Sequence, residues 1–489
     1  MRVQGFSVGP IVGECGTTRV RIFGRAAMAA VTEPRKAMWG RIQWRPRDQS
    51  HWSAPRPFRL NANFDGSGIV VLTDLQPGCE YVYRAGWVSD PQAPDTALDW
   101  QQASEGSFRT APADPQAPVS FLFGSCSYRF FDLGGRLSDD RADKTFAAMQ
   151  ANQAREGAAD FVLFCGDQIY ADPLNRLGAI SSEESYLQRY RTAFGQPAMR
   201  SLMARTPTYM ILDDHEIEDN WPASASARDW VEKFPAAIKA YQIYQASHSP
   251  AMPLGPEGLY LDQDPDHLWY HFSHGCMDMF VMDVRTERQL AGSPAQRWMI
   301  SPEQEQALAD WLLQSPERVK LIVSPVVLFP DNRPLFRGGD AWEGFVHQRT
   351  RILEIIRRHK LPRVAFVSGD VHASLVAALT CSGRRAPLAH SLVSSGLFWP
   401  AALLPFRWYA PMIQRQGRLA TSSVWSRMLA RIAGLSLSRY KVSLLSGVYS
   451  RDAFARVTVT PEGFEFCLYD RRGDPLPAMT VRRSWLAPE

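Results

Sequence analysis

Cysteine is sparse in this chain and carries no pattern. Cys15, Cys79, Cys126, Cys165, Cys276, Cys381 and Cys467 are odd in number, irregularly spaced and form no Cys-x-x-Cys pair. That argues against a disulfide framework and fits a reducing compartment. No apolar run approaches the roughly 20 residues needed to span a bilayer. The amino-terminal stretch has no apolar core of signal-peptide length and no twin arginine, so a cytoplasmic location is expected. Net charge is only +4 over 489 residues. It is too small and too dispersed to point to a nucleic-acid partner or an anionic membrane. No internal repeat stands out. What is present is the composition of an ordinary globular protein, 45% hydrophobic and 21% charged.

The first 112 residues read as short strands. Arg19 to Phe23 alternates polar and apolar, the period-2 pattern of a half-buried strand. Asp65-Gly66 is a turn signal ahead of the β-branched run Ile69 to Leu72. Pro77-Gly78 leads into Tyr81-Val82-Tyr83, a corner resembling those of fibronectin type III-like β-sandwiches. Residues 111–118 form a proline-rich linker. From residue 119 the texture changes to apolar strands alternating with helices, the signature of a layered α/β domain. Strands are expected at 120–123, 161–165, 208–212, 321–323 and 364–367, and a helix at 144–156. Ser301-Pro302-Glu303-Gln304 opens another helix with a capping box. Strand-like alternation returns at 454–460 and 463–469, with a turn at 461–463. The expected division is 1–112 as an N-terminal sandwich and 119–489 as a catalytic domain, with 391–445 an insertion or lid.

Four loops that follow strands carry chemistry. They are Gly124-Ser125-Cys126, Gly166-Asp167-Gln168-Ile169-Tyr170-Ala171-Asp172, Asp213-Asp214-His215-Glu216 and Gly369-Asp370-Val371-His372. In open α/β sheets, ligands sit beyond the carboxyl ends of the strands. Asp167, Asp214 and Asp370 converging there would repel one another strongly unless a cation compensates. A thiolate, a tyrosinate and an imidazole suit a transition metal, and Cys126, Tyr170, Asp167 and His372 together point to iron as Fe³⁺. An oxygen-rich neighbour would suit Ca²⁺, Mn²⁺, Mg²⁺ or Zn²⁺.

These segments, in this order, resemble the PhoD-like alkaline phosphatase family of the calcineurin-like metallophosphoesterases. The resemblance runs over nearly the whole chain. It implies a four-layer α-β-β-α sandwich with an N-terminal β-sandwich, and a dinuclear site hydrolysing phosphate mono- or diesters with a metal-activated hydroxide. Cys126, Asp167, Tyr170 and His372 would hold the iron, Asp167 would bridge, and Asp214 and Asp370 would serve the second ion. His215 would be the general acid, oriented by Asp213 or Glu216. Arg285, Arg288 or Arg349 could clamp a phosphate oxygen. The chain departs from the wider superfamily at Ser324-Pro325, where a further histidine is usual. Asn220, Asp172 and Glu216 are spare ligands. Two alternatives stand beside this reading. One is a lipid phosphodiesterase touching a membrane surface through 397–409. The other is a non-catalytic scaffold of the same fold.

Overall fold

The computed structural model describes residues 1–27, 38–90, 92–129, 140–172, 180–254, 264–293, 295–331, 340–384, 386–399, 416–419 and 438–486. The N-terminal part comprises β1 (Arg2–Gln4), β2 (Val8–Cys15), β3 (Val20–Arg25), β4 (Met38–Pro46), β5 (Arg56–Leu60), β6 (Ser67–Leu72), β7 (Glu80–Val88), β8 (Asp99–Gln102) and β9 (Ser104–Arg109). They form a three-stranded sheet, β2-β3-β6, and a larger sheet in the order β5-β4-β7-β1-β8, with β9 also on β7. Phe6, Ile22, Ile42, Phe58, Tyr83 and Phe108 fill a core of its own. The Tyr81 hydroxyl accepts the Gln76 N–H at 2.9 Å, closing the expected tyrosine corner.

β3 is not half-buried as its alternation predicts; all six of its residues are buried. Its polar positions are paired, Arg21 with the second part of the chain and Arg25 within the sandwich. Arg21 donates to the Met252 carbonyl (2.8 Å). Arg25 donates to both oxygens of Asp65, at 2.8 and 3.0 Å. Asp65 also accepts from Arg191 Nε (2.8 Å) and from the Tyr244 hydroxyl. Burial alone would raise the Asp65 pKa, but these donors outweigh it and hold the carboxylate ionised. One turn residue thereby pins the sandwich to two helices of the α/β part.

That part runs β10 (Val119–Gly124), α1 (Asp143–Glu156), β11 (Phe161–Cys165), α2 (Glu183–Phe194), α3 (Pro197–Met203), β12 (Thr208–Ile211), α4 (Ala227–Tyr244), β13 (Tyr270–His274), β14 (Met277–Val281), α5 (Pro302–Leu313), β15 (Val319–Val323), α6 (Val346–Arg358), β16 (Val364–Ser368), β17 (Leu375–Cys381), β18 (Ala389–Val393), β19 (Gln416–Arg418), β20 (Tyr440–Leu444), β21 (Ala453–Val459), β22 (Gly463–Asp470) and β23 (Val481–Ser484). One sheet is ordered β12-β11-β10-β21-β22-β23, the other β13-β14-β15-β16-β18-β17-β20-β19. Along β14 and β15 the side chains alternate between two cores. Met277, Met279, Val281, Leu321 and Val323 face the first sheet. Phe280 and Ile322 pack with Leu308, Trp311, Ile352 and Ile356 of α5 and α6. The result is four layers, α-β-β-α, as the period-2 rule requires of strands covered on both faces.

Two local expectations change. Ser301 caps α5 by accepting from Gln304 N at 3.1 Å, but Gln304 does not return the bond. Its side-chain amide pairs instead with the Asp283 backbone, at 3.0 Å both ways. The supposed insertion at 391–445 begins inside β18 and ends just past β20, both members of the eight-stranded sheet. Residues 400–415 and 420–437 lie outside the described residues.

His248 and His390 are buried, and desolvation lowers both pKa values from 6.5 to about 4. The unfolded chain therefore binds more protons between those values. Stability present above pH 6.5 is lost as pH falls through about 4. His390→Gln removes one such proton. Urea titrations between pH 6 and 5 should show its stability falling less steeply than wild type by about 1.4 kcal/mol per pH unit.

Candidate metal centre

The four chemistry-bearing loops follow β10, β11 and β12 in one sheet and β16 in the other. β10, β11 and β12 run parallel, so their loops leave the same edge. The backbone there is strained. Cys126, Asp167, Asn220, Asp370 and His372 all take positive φ, between 46° and 61°. Such conformations are costly for residues other than glycine and persist where the surroundings over-determine them. At Gly166 (φ +91°) a side chain would collide with Asp213 Cβ, so the Asp167 and Asp213 loops approach closely only through glycine.

Asp167 is the centre. Cys126 Sγ lies 3.2 Å from its Oδ2, and the Tyr170 hydroxyl lies 3.3 Å from the same oxygen. On the other side, His215 N–H reaches Oδ1 at 3.4 Å. Ligand atoms of Asp167, Asp214 and His215 all lie within 4.8 Å of one another. The two oxygens of one carboxylate thus face two different donor sets. Ser125 and Ser395 hydroxyls bracket Cys126 Sγ at 3.2 and 3.3 Å. They also accept the backbone N–H groups of Asp370 (3.2 Å) and His372 (2.9 Å). Sequence reading named Ser125 only as part of its loop and did not single out Ser395. Small hydroxyls beside a strand end carry no distinguishing signal until the loops meet.

Several expected roles move. Glu216 orients no ring. It is fully buried and accepts the N–H groups of Asp167 (3.0 Å), Gln168 (2.7 Å) and Asp213 (2.8 Å), stapling two ligand loops together. Asp213 is likewise turned away from His215, towards Arg285. The His215 partner is Asp172, whose Oδ1 lies 2.7 Å from Nδ1, while its Oδ2 accepts Asp219 N–H at 2.7 Å. Arg285 is not placed to clamp a phosphate. It is fully buried beneath the cluster, paired with Asp213 and Asp340, bonded to the Trp221 carbonyl (3.1 Å), and 3.4 Å from Asp214 Oδ1. Arg288 joins Asp340 at 3.3 Å, and Arg349 joins Asp331 at 2.6 Å; both are buried. Asp340 and Trp342 belong to this buried support, the indole N–H donating to Ser324 Oγ at 3.1 Å.

The electrostatics call for cations. Burial, with Asp214, Glu216 and Asp370 nearby, raises the Asp167 pKa well above the carboxylate range, against the pull of His215. Burial and then Asp167 raise the Cys126 thiol and the Tyr170 hydroxyl in the same way. Asp213 Oδ2 and Asp214 Oδ1 are buried and accept no hydrogen bond. Metal ions among these groups would relieve the repulsion and favour the ionised ligands, so the residues present fit a metal centre.

Comparison with known proteins agrees. A family model described as PhoD-like phosphatase matches residues 128–398, more than half of the chain. The chain belongs to the PhoD-like phosphatase family. It is 26% identical over 303 residues to alkaline phosphatase D of Bacillus subtilis (strain 168). That match covers 55% of this chain and 48% of the relative, so the chain spans about half the length of the curated protein it matches. The solved structure of PhoD superposes with a TM-score of 0.68 at 18% identity, covering 98% of this chain and 92% of that one. It shows that the PhoD fold, sandwich included, is shared along almost the entire chain. The GDQIYAD, DDHE and GDVHAS segments that carried the resemblance lie within the matched residues and are the loops that converge here.

Arg285 carries the counter-charge for this centre. Arg285→Met should destabilise the protein by about 3–5 kcal/mol in chemical denaturation, because Asp213 and Asp340 are left buried without their partner.

Proposed function

We propose that this chain is a metal-dependent phosphoester hydrolase with a two-ion site. The observation that carries this reading is Asp167. One of its oxygens faces Cys126 and Tyr170 while the other faces the His215 loop, the arrangement a bridging ligand needs. Cys126, Asp167, Tyr170 and His372 would hold one ion, best suited to Fe³⁺. Asp167, Asp214 and Asp370 would hold the other, a harder cation such as Ca²⁺, or Mn²⁺, Mg²⁺ or Zn²⁺. Bound there, the two ions would acidify the attacking water and neutralise charge on the phosphoryl oxygens.

The chain's own residues supply the rest. Asp172 fixes the His215 ring at Nδ1, and Nε2, 3.9 Å from Asp219 Oδ1, is the nitrogen left to serve the leaving oxygen. Burial alone would lower the His215 pKa; Asp172, Asp214 and Asp167 outweigh it and raise it well above 6.5. A protonated imidazole so placed can give its proton to a departing alkoxide. Glu216 and the two serines hold the ligand loops in register, so that binding requires little reorganisation.

Three outcomes test the reading. Asp167→Asn should abolish hydrolysis of a chromogenic phosphoester. Wild-type activity in metal-replete Asp167→Asn protein would end the mechanism, whereas no hydrolysis by the metal-replete wild type would leave the scaffold alternative. Oxidised wild-type protein should show a visible tyrosinate-to-iron band that Tyr170→Phe removes; colourless iron-loaded protein would take Tyr170 out of the ligand set. Asp172→Asn should cost about 10- to 100-fold in kcat. The loss should be smaller for a p-nitrophenyl ester than for an alkyl ester, whose alkoxide needs the proton more. Equal losses would assign Asp172 a structural part only.

The lipid reading finds less support. Leu397 and Phe398 are buried within the protein, and 400–409 lie outside the described residues. Among the described residues no helix is long and apolar enough to cross a membrane.

A further inference from the structure

Five aromatic rings run side by side around the centre. The Tyr170 ring lies 4.2 Å from His215 and 4.8 Å from Tyr128. Trp399 lies 4.9 Å from Tyr128, 5.9 Å from Tyr170 and 3.9 Å from His372. Tyr128, Tyr170 and His372 are buried, whereas His215 and Trp399 are half-buried. His215 has a part in the reaction proposed above, and Trp399 has none.

Trp399 is not a loosely held surface ring. Its segment is zipped to the Cys126 loop by backbone bonds. Leu397 N–H donates to the Ser125 carbonyl (2.9 Å), Phe398 N–H to the Cys126 carbonyl (3.3 Å), and Tyr128 N–H to the Phe398 carbonyl (2.8 Å). Thr145 Oγ1 donates to the Leu397 carbonyl at 2.6 Å. The Trp399 N–H itself donates to Asp452 Oδ1 at 3.1 Å, and Arg471 stands 3.4 Å from the other Asp452 oxygen. These bonds fix the backbone at Trp399, and packing against Tyr128 and His372 holds the half-buried indole beside an acidic cluster, where it is pre-organised to receive a flat group.

We propose that Trp399 is a stacking platform for an aromatic ring joined within two bonds of the substrate phosphorus, so that the site favours aryl phosphoesters. The closeness of Trp399 to His372 sets that reach. A phosphoryl group held at the centre lies one side chain away from the indole, which suits a directly attached ring. The inference rests on the phosphoesterase reading for the position of the phosphoryl group, and binding can be measured without turnover.

The test is calorimetric titration of the purified, metal-containing protein with phenylphosphonate and with cyclohexylphosphonate. The two have similar size and charge, and only one has a π face. Wild-type protein should bind phenylphosphonate about three- to ten-fold more tightly, the margin expected for aromatic contact beyond area alone. Trp399→Leu keeps an apolar side chain against His372 and should bring the two affinities to within about two-fold, while Trp399→Phe should retain the preference. Equal affinities in wild type overturn the proposal, and so does a preference that survives Trp399→Leu. Parallel weakening of both phosphonates in Trp399→Leu with the ratio kept also overturns it, and makes Trp399 a shield for His372. If Trp399→Leu does not fold, the wild-type and Trp399→Phe ratios still decide. A preserved preference in protein that hydrolyses no ester supports the platform and sinks the hydrolase reading. Hydrolysis with equal affinities does the reverse.

Discussion

Carboxylates crowded into a dry cleft repel one another, and most of the architecture around this centre can be understood as managing that repulsion. Asp167, Asp213, Asp214, Asp370 and Glu216 gather within a few loops, nearly or fully buried. Each of them acts differently. Glu216 is satisfied by backbone N–H groups. Asp213 is paired to Arg285. Asp167, Asp214 and Asp370 have no such full compensation, and cations bound among them would complete the balance. Removing Arg285 or the metals would leave the same excess, which is why protein support and metal ligation belong to one electrostatic system.

The same repulsion explains where the strain sits. Five residues of the centre take left-handed backbone conformations. An ordinary loop would relax them and let the side chains splay apart. Here the two sheets, the serine pair and Glu216 hold the loops together, so folding supplies the energy that keeps like charges close. Aromatic rings pack beside the centre as well, Tyr170 against His215 and Trp399 against His372.

Much of the fold was legible beforehand because it rests on local pattern. Periodicity marked β10, β11, β12, β15 and β16 within a residue or two, and the loop after four strands pointed to the centre. Where two layers meet, pattern misled. β3 alternates like a half-buried strand, yet it is buried on both faces because Arg21 finds a partner across the domain contact and Arg25 is held by Asp65, itself bonded across that contact to Arg191 and Tyr244. Asp65 read as a turn residue and is one, at φ 55°. Its second task, joining Arg25, Arg191 and Tyr244, depends on residues up to 179 positions away.

By itself, the sequence singled out the candidate residues, because Cys126, Asp167, Tyr170, Asp214, His215, Asp370 and His372 stand in short segments behind apolar strands. Only the tertiary structure decided what each does for the others. It assigned His215 to Asp172 instead of Asp213 or Glu216, and made Glu216 a staple. It sank Arg285 beneath the cluster as a counter-charge and brought Ser125, Ser395, Tyr128 and Trp399 around it. The physical reason is that residue type sets which bonds a side chain can make, whereas partner choice is settled by distance and burial. Both of those come into being only when separate strands deliver their loops to the same edge.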